Sequence, residues 1–339
     1  MGAQSVAVRK ISCCNHCFLK LTGMKNIICI LFLSVILTPV SAQWNWVSVD
    51  SSFGNLPAGI RVYYTETPSE GKPNKAYYVS VDLRDPSLIF TANVGNGKRY
   101  TPQQYYQSGN QPLLVMNCTF FEFVHNSNLN VVMREGKLLS YQVQQTPAKG
   151  KDSGMYYHFL GSAIGISKKR QADVAWLYVD SAARFPKATQ EPLKSWKDSN
   201  AHPTADEFLQ QRRFRKWKME TAVGGGPVLV QDGKIQITNN EERKFAGNAI
   251  KDKHPRTAMG YTADGRLILL VVEGRNPGKA EGATLTQLAE MFIQLGCVEA
   301  LNLDGGGSSC LLVNGKNTIQ PSDKEGQRPV PAVFIVERK

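Results

Sequence analysis

One stretch of the chain, residues 282–309, reads GATLTQLAEMFIQLGCVEALNLDGGGSS. Thr284 and Gln287 have the spacing of a capping box, in which two side chains satisfy the free backbone N–H groups at the start of a helix. Apolar residues then recur at the i, i+3, i+4 and i+7 positions of one helix face, and Gly296 stands where a helix commonly ends. The pattern predicts a helix from Thr284 to the residue before Gly296, followed by a short strand over 298–303.

A second apolar run precedes this helix. Residues 267–273, LILLVVE, are apolar at consecutive positions, which is typical of a strand buried on both faces. Strand, helix and strand in this order indicate a right-handed β-α-β crossover. Hairpin turns are predicted where an acid or Asn precedes Gly between strand-like runs, at 135–137, 232–233, 264–265 and 314–315. We therefore predict an α+β fold with a mixed, largely antiparallel sheet core, flanking helices and one β-α-β crossover near the C-terminus.

The N-terminal residues 1–42 contain the three parts of a secretory signal. Lys25 supplies a positive charge, residues 27–37 are an apolar run, and the sequence PVSA ending at Ala42 resembles a cleavage site. Met24 directly precedes these parts and is an alternative initiator. An uncleaved membrane anchor is the alternative interpretation of the apolar run.

The rest of the chain is expected to contain a lead-in segment, residues 43–74, and a main domain, residues 75–339. Within the main domain, residues 182–220 change character because they are rich in proline and in basic residues. The charged stretch 207–218 has helical spacing, so we predict an inserted, partly helical segment. Such a segment could attract an anionic polymer, although a solvated helix face is the commoner explanation.

Composition excludes several classes of protein. With 42% hydrophobic and 9% aromatic residues the chain has ample material for a core, which excludes a disordered chain. No apolar run after residue 42 approaches the roughly 18 residues of a spanning helix. Cleavage would leave three cysteines, Cys118, Cys297 and Cys310, an odd number that is not a disulfide framework. Buried free thiols are the favoured interpretation, with a single bridge as the alternative.

The sequence predicts neither a metal site nor an organic cofactor. The histidines are scattered, and no HExxH motif or calcium-binding loop of the D-x-D-x-D-G type is present. A requirement for a divalent cation such as calcium stays open. A serine hydrolase elbow of the G-x-S-x-G type is also missing.

Carboxylates beside glycine end several of the apolar strands. They occur in the segments 273–275 (EGR), 302–307 (NLDGGG) and 117–122 (NCTFFE). In sheets with a parallel crossover, ligands bind beyond the carboxyl ends of strands, and consecutive glycines let backbone N–H groups approach a ligand closely. The triple glycine is not a dinucleotide loop, because a strand-like run rather than a helix follows it. A bulge or a tight sheet corner is the alternative explanation for these glycines.

The combination of motifs resembles one known family, the phosphodiester glycosidases. The resemblance rests, in chain order, on NCTFF (117–121), GGGPVLVQDG (224–233), RTAMG (256–260), VEGR (272–275), GATLTQLA (282–289) and NLDGGGSS (302–309). It covers about residues 75–337 and implies that residues 75–339 form a glycosidase-like catalytic domain. The implied activity is hydrolysis of the bond between an anomeric sugar carbon and a phosphodiester oxygen, which releases a free sugar and a phosphomonoester.

The residue types in these motifs suit that chemistry. A glycosyl phosphodiester is anionic, and Arg256 and Arg275 could bind its phosphate oxygens in a bidentate manner. The sugar carbon becomes oxocarbenium-like, which a carboxylate can stabilise or attack. Asp304 and Glu273 are the first candidates for this catalytic carboxylate, and Glu122 is the third. Alternatively, Arg256 and Glu273 form a buried structural ion pair, and Asp304 only forms a turn before glycine.

Further residues are expected to bind the substrate. Glycine backbone N–H groups and a serine hydroxyl could hold the phosphate, while asparagines could orient sugar hydroxyls or the carboxylates. This set consists of Asn117, Thr257, Gly225, Gly226, Asn302, Gly305, Gly306 and Ser308.

We expect an exported protein, periplasmic or extracellular, that acts on a glycosyl-phosphate small molecule or glycan. Neither nucleic acid nor stable membrane insertion after signal cleavage is expected. The alternative is a non-catalytic exported protein that binds an anionic glycan or polymer, as the excess of basic residues would allow. A phosphodiesterase that cuts the P–O bond is a third hypothesis, but it would normally require clustered metal ligands.

Overall fold

The structure is a computed structural model that describes residues 43–339, so the predicted signal at 1–42 lies outside the described residues. Strands dominate the described part. In chain order the strands are β1 (Val47–Ser48), β2 (Ile60–Thr65), β3 (Lys75–Asp82), β4 (Leu88–Val94), β5 (Leu114–Asn117), β6 (Val132–Arg134), β7 (Lys137–Ser140), β8 (Gln145–Pro147), β9 (Tyr156–His158), β10 (Gly161–Ser167), β11 (Ala172–Tyr178), β12 (Lys187–Thr189), β13 (Trp196–Asp198), β14 (Arg215–Lys216), β15 (Met219–Gly224), β16 (Val228–Gln231), β17 (Lys234–Ile235), β18 (Arg256–Thr262), β19 (Arg266–Glu273), β20 (Cys297–Asn302), β21 (Leu311–Val313), β22 (Lys316–Asn317) and β23 (Ala332–Arg338). The helices are α1 (Pro102–Ser108), α2 (Ala205–Leu209), α3 (Asn239–Glu242) and α4 (Leu285–Gln294). Within residues 43–339, no helix has the length and apolar character needed to cross a membrane.

The strands form four sheets. The eight-stranded sheet has the order β1-β2-β3-β19-β18-β20-β16-β17, and the seven-stranded sheet has the order β14-β12-β11-β10-β15-β6-β7. A five-stranded sheet, β22-β21-β5-β23-β4, and a three-stranded sheet, β13-β9-β8, complete the described part. The predicted hairpin turns at 135–137, 232–233, 264–265 and 314–315 are confirmed, because each joins two paired strands. Cys118, Cys297 and Cys310 are buried free thiols, as the odd cysteine count indicated.

The predicted helix α4 is confirmed, together with its capping box of Thr284 and Gln287. The strands on either side of it, β19 and β20, both pair antiparallel with β18, which lies between them. They therefore run in the same direction without pairing with each other. The largely antiparallel α+β fold is confirmed, but the mixed sheet is a correction: every strand pair of the described residues is antiparallel. The reason is that β18 and β19 form a hairpin before the helix, so β18 already occupies the place beside β19.

Strand β19 is buried on both faces, as its continuous apolar sequence predicted. Leu267, Leu269 and Val271 face the largest apolar cluster, which joins the eight-, seven- and five-stranded sheets. The alternate residues, Ile268 and Leu270, face a second cluster formed with α4. The helix therefore covers one face of the eight-stranded sheet while the other sheets cover the opposite face, and both faces are removed from water.

A buried carboxylate joins the eight-stranded sheet to the seven-stranded sheet. Glu242, which is fully buried, accepts hydrogen bonds from Ser162 Oγ (2.5 Å) and Trp176 Nε1 (3.2 Å) of the seven-stranded sheet. It also accepts from the backbone N–H of Val228 (2.9 Å) and from Thr238 Oγ1 (2.6 Å). Four donors compensate the cost of burying this group, so the two sheets are fixed relative to each other at this point.

Residues 182–220 contain β12 and β14, which form one edge of the seven-stranded sheet, and β13 of the three-stranded sheet. The predicted helix over 207–218 is wrong beyond its first residues, because α2 ends at Leu209 and the basic stretch continues into the edge strand β14. The indole of Trp217 explains the change: it is buried, and its Nε1 donates a 2.5 Å hydrogen bond to Asp173 of β11. This contact holds the stretch against the sheet in extended form, with Arg215 and Lys216 exposed.

Candidate active site

Strands β19 and β20 end, and strand β18 begins, at the same end of the eight-stranded sheet. Arg256, the first residue of β18, is opposite Val272 near the end of β19, and Ala258 is opposite Asn302, the last residue of β20. Beyond this edge, the Gly306 N–H donates to the carbonyl of Pro255 (2.9 Å). The topology therefore brings the glycine triplet beside the arginine-containing strand, although the two are far apart in the sequence.

Asn117 fixes the backbone on both sides of the triplet. Its Oδ1 accepts from Thr257 Oγ1 (2.9 Å) and from the Cys310 N–H (3.0 Å), and its Nδ2 donates to the Asp304 carbonyl (2.6 Å). Asn117 and Thr257 are both fully buried. The Asp304 N–H in turn donates to the carbonyl of Cys118 (2.8 Å). The structure thus places Asn117 and Thr257 where they orient the Asp304 backbone.

Asp304 is a half-buried carboxyl group. Removal from water raises its pKa to about 7, and this effect outweighs the hydroxyl of Ser308, the charge of Arg328 and the backbone N–H of Gly305, which all lower it. Near neutral pH the group is therefore poised between its two protonation states. A carboxyl group with a strongly shifted pKa is a common feature of catalytic sites.

Arg275 lies against the glycine triplet with its guanidinium uncompensated. The side chain is exposed, and none of the ion pairs formed within residues 43–339 includes it. Gly306 has a φ of +61°, and a Cβ there would lie 2.9 Å from Arg275 Nη2. Glycine at this position gives the guanidinium room to approach the backbone and the conformation that the turn requires.

A second guanidinium, which the sequence analysis missed, lies against the next glycine. Arg328 donates from Nε and Nη2 to the carboxylate of Asp323 (2.8 and 3.1 Å) and from Nη1 to Ser308 Oγ (3.5 Å). A Cβ on Gly307 would lie 2.1 Å from Arg328 Nη2. The bidentate pair orients the guanidinium but also neutralises part of its charge. The only sequence signal was an acid and an arginine flanking a short turn, Asp323–Gly326.

Arg256 begins β18 beside the site, but its guanidinium donates hydrogen bonds to main-chain carbonyls. Its Nε donates to Ala283 (2.9 Å) and its Nη2 to Asp252 (2.9 Å) and Ala249 (3.3 Å). The residue is 3% exposed, and burial lowers the pKa of its guanidinium to about 10. These contacts leave only part of the guanidinium for a ligand. The structure shows no ion pair between Arg256 and Glu273 among the described residues.

The other two predicted carboxylates have different surroundings. Glu273 is buried and accepts from the backbone N–H of Gln320 (3.0 Å). Glu122 accepts from the backbone N–H groups of Val124 (2.7 Å), His125 (2.8 Å) and Ser127 (3.1 Å). Partial desolvation acts to raise the pKa of Glu122, but these three donors outweigh it and lower the pKa.

The glycines of the 224–233 motif pack against the end of β20. The Gly226 N–H donates to the Asn302 carbonyl (2.7 Å), and Asn302 Nδ2 donates to the Gly226 carbonyl (2.8 Å). A Cβ on Gly225 would lie 2.3 Å from the Asn302 carbonyl oxygen, so this contact requires glycine. Asn302 is buried, and its Oδ1 has no hydrogen-bond partner within the described part of the chain. The predicted residues Gly225, Gly226 and Asn302 therefore form one unit. Gly305 packs as closely on the Pro255 carbonyl, which a Cβ would approach to 2.7 Å.

Lys244 is a further cation that the sequence analysis missed. Its Nζ lies 5.4 Å from the ring centroid of Phe120, and a Cβ on Gly226 would lie 2.4 Å from its Cε. Burial lowers the pKa of Lys244 to about 8, against the opposite effect of Glu242. No sequence motif marks this lysine, because its position depends on the loop that follows α3. For residues 43–339, no group of three or more His, Cys, Asp or Glu side chains has a metal-binding arrangement.

Comparison with known proteins places the chain in a family. Residues 110–337, more than half of the chain, match the phosphodiester glycosidases. The chain belongs to the phosphodiester glycosidase family. Among curated relatives of this family, the mouse N-acetylglucosamine-1-phosphodiester alpha-N-acetylglucosaminidase is 41% identical over an alignment of 198 positions, and the match covers 48% of this chain and 38% of the mouse protein. The SPbeta prophage-derived uncharacterized protein YomE of Bacillus subtilis is 42% identical over 71 residues, 21% of this chain and 11% of that protein. The match thus covers less than half the length of these relatives.

A solved structure of the same family shares the fold of this chain. The zebrafish N-acetylglucosamine-1-phosphodiester alpha-N-acetylglucosaminidase catalytic domain, auto-inhibited by its pro-peptide, superposes with a TM-score of 0.56. The sequence identity is 19%, and the match covers 88% of each chain. The resemblance to this family that the motifs indicated is confirmed.

Proposed function

We propose that this phosphodiester glycosidase hydrolyses the anomeric C–O bond of a glycosyl-1-phosphate diester and releases a free sugar and a phosphomonoester. The names of its curated relatives make an N-acetylglucosamine phosphodiester the first substrate to test. The signal that residues 1–42 predict supports export, to the periplasm or the extracellular space.

The single observation that carries the proposal is the position of Asp304 beside the glycine triplet and two guanidinium groups. Ser308 Oγ accepts a hydrogen bond from Arg328 (3.5 Å), the Ser308 hydroxyl and the Arg328 charge both lower the pKa of Asp304, and Arg275 lies against Gly306. A carboxylate and two cations beside the same short stretch of backbone match the two charges that develop in the reaction. The developing positive charge is on the sugar carbon, and the negative charge is on the departing phosphate.

In this proposal the ionised carboxylate of Asp304 stabilises or attacks the anomeric carbon. Arg275 binds the phosphate oxygens through its uncompensated guanidinium. Arg328 binds the phosphate as well and orients the Ser308 hydroxyl through its hydrogen bond. The C–O bond breaks, the bridging oxygen leaves with the phosphate, and water supplies the hydroxyl of the free sugar. Glu273 and Glu122 remain candidates for a second carboxylate, as do Arg256, Asn302 and the glycines for substrate binding. The need for a divalent cation such as calcium is tested by adding a chelator.

The test is hydrolysis of N-acetylglucosamine 1-phosphate methyl ester in water enriched in oxygen-18. We expect the label in the released sugar, because the attacking oxygen joins the anomeric carbon. Label in the phosphate would show P–O cleavage by a phosphodiesterase and would overturn the proposal. Binding of an anionic glycan without release of sugar from any glycosyl phosphodiester would favour the non-catalytic alternative.

A further inference from the structure

An apolar loop tip stands in solvent close to the site. Phe123 is 59% exposed and Val124 is 81% exposed, which is unusual for adjacent large apolar side chains. They belong to residues 121–127, between the Asn117 segment and the chain that leads to β6.

The loop tip is held in place. The carboxylate of Glu122 accepts three backbone N–H bonds from the residues that follow it, as described above, and the Glu122 N–H donates to the Ser127 carbonyl (3.1 Å). Asn126 Nδ2 donates to the Gly97 carbonyl (3.1 Å), which ties the tip to the neighbouring turn. Phe123 and Val124 are thus presented to solvent by an ordered support.

The Phe123 ring also faces two cations. Arg99 Cζ lies 5.0 Å from its centroid and Arg328 Cζ lies 5.9 Å from it, both within cation–π range. The ring of Phe121 packs against it with a centroid separation of 4.8 Å. An aromatic surface therefore adjoins the guanidinium of Arg328, whose Nη1 also donates to Ser308.

The order of the contacts determines which part of a substrate this surface meets. Asp304 begins the turn 304–308 that ends in Ser308, Ser308 Oγ accepts a 3.5 Å hydrogen bond from Arg328, and Arg328 lies 5.9 Å from the centroid of the Phe123 ring. With the sugar at Asp304 and the phosphate at Arg328, the Phe123 ring is next to the phosphate-binding cation. A group esterified to the other side of the phosphate can therefore contact this ring.

We propose that Phe123 and Val124 form the binding surface for the aglycone, and that this aglycone presents an apolar or aromatic face directly next to the phosphate. The inference rests on the proposed function and adds the substrate class. Burial of Phe123 by an apolar aglycone removes exposed apolar area from water, while Arg328 remains beside the phosphate. A small polar aglycone gains nothing from this surface.

The experiment compares the benzyl and methyl esters of N-acetylglucosamine 1-phosphate. The two esters share the sugar and the scissile bond, and they differ only in the aglycone. For the unaltered protein we expect a KM for the benzyl ester about tenfold below that for the methyl ester. Phe123→Ala should abolish this preference and leave kcat and the methyl-ester KM within twofold, whereas Phe123→Tyr should retain it.

Ile235→Ala is the matched control, because Ile235 is an exposed apolar residue of the edge strand β17 and its truncation should leave both KM values unchanged. An unchanged benzyl preference in Phe123→Ala would overturn the inference while leaving the proposed function intact. Failure of the unaltered protein to hydrolyse either ester would instead count against the proposed function. A loss of kcat for both esters in Phe123→Ala, with folding retained, would show that the ring acts on the reaction itself and would also overturn the aglycone assignment.

Discussion

The side-chain amide of Asn117 donates a 2.6 Å hydrogen bond to the main-chain carbonyl of Asp304, 187 positions further along the chain. The same amide accepts from two donors with its oxygen, so all of its strong hydrogen bonds point into the protein. Asn117 therefore acts as a support for the backbone that carries the candidate catalytic carboxylate, and a neutral group able to both donate and accept is required there.

Asn117→Asp should disturb this support without changing the size of the side chain. The new carboxylate cannot donate to the Asp304 carbonyl, and it is buried, so we expect a loss of about 1–3 kcal/mol in the free energy of unfolding. The kcat should fall at least tenfold (about 1.4 kcal/mol) because the Asp304 backbone is no longer held. Urea unfolding and steady-state kinetics measure the two effects. Asn110→Asp, the same change at an exposed position, should alter neither.

Asp304→Asn should nearly abolish sugar release, by about a thousandfold or more, because the amide cannot stabilise or attack a cationic sugar carbon. The same substitution should stabilise the protein at high pH. Since burial raises the pKa of the folded carboxyl to about 7, the folded state binds its proton more tightly than the unfolded state, and stability falls as pH rises from about 4 to 7. Removing the charge should therefore increase the free energy of unfolding at pH 8 by about 1–3 kcal/mol and have little effect near pH 4. A variant that is less stable than the parent at pH 8 would contradict this account.

The activity should depend on pH in the same range. If Asp304 acts in its ionised form, kcat/KM should rise with pH and level off above about 7, where the free carboxyl is deprotonated. A profile of kcat/KM from pH 4 to pH 9 provides the measurement. Activity that falls as pH rises through 7 would mean that this carboxyl works as a protonated acid.

Arg275→Gln should weaken substrate binding. Its guanidinium has no ion-pair partner among residues 43–339, so its charge is available to the phosphate, and we expect KM to rise about tenfold with a smaller change in kcat. Lys279→Gln removes the same charge from an exposed position four residues away and should leave KM within twofold. Equal effects of the two substitutions would indicate general electrostatic attraction rather than direct contact.

The parts of the fold that depend on local signals could be predicted from the sequence. The capping box before α4, the acid–glycine hairpin turns and the doubly buried strand β19 are all present as expected. The basic stretch after Leu209 was misassigned because its helical spacing is outweighed by a tertiary contact, the burial of Trp217 against Asp173. Local periodicity contains no information about such a partner.

The candidate site could be predicted in part. The motif residues Asn117, Thr257 and Asp304 do meet, because strand ends at one sheet edge are close whatever their separation in sequence. Arg328 and Asp323 could not be found, since their closeness to Ser308 depends on the path of an irregular segment. A sequence pattern also gives no indication that Arg256 is already bound to carbonyl groups.

The position of β23 has a consequence for how the protein matures. This strand pairs with β4 and β5, and through Val333 it pairs with Asn117 itself. Strands β4 and β5 are synthesised early, whereas β23, which lies between them, is synthesised only when residues 332–338 are made. Nascent fragments should therefore lack a completed five-stranded sheet and an active centre. A chain with this topology cannot complete the five-stranded sheet while residues 332–338 are still in the ribosome.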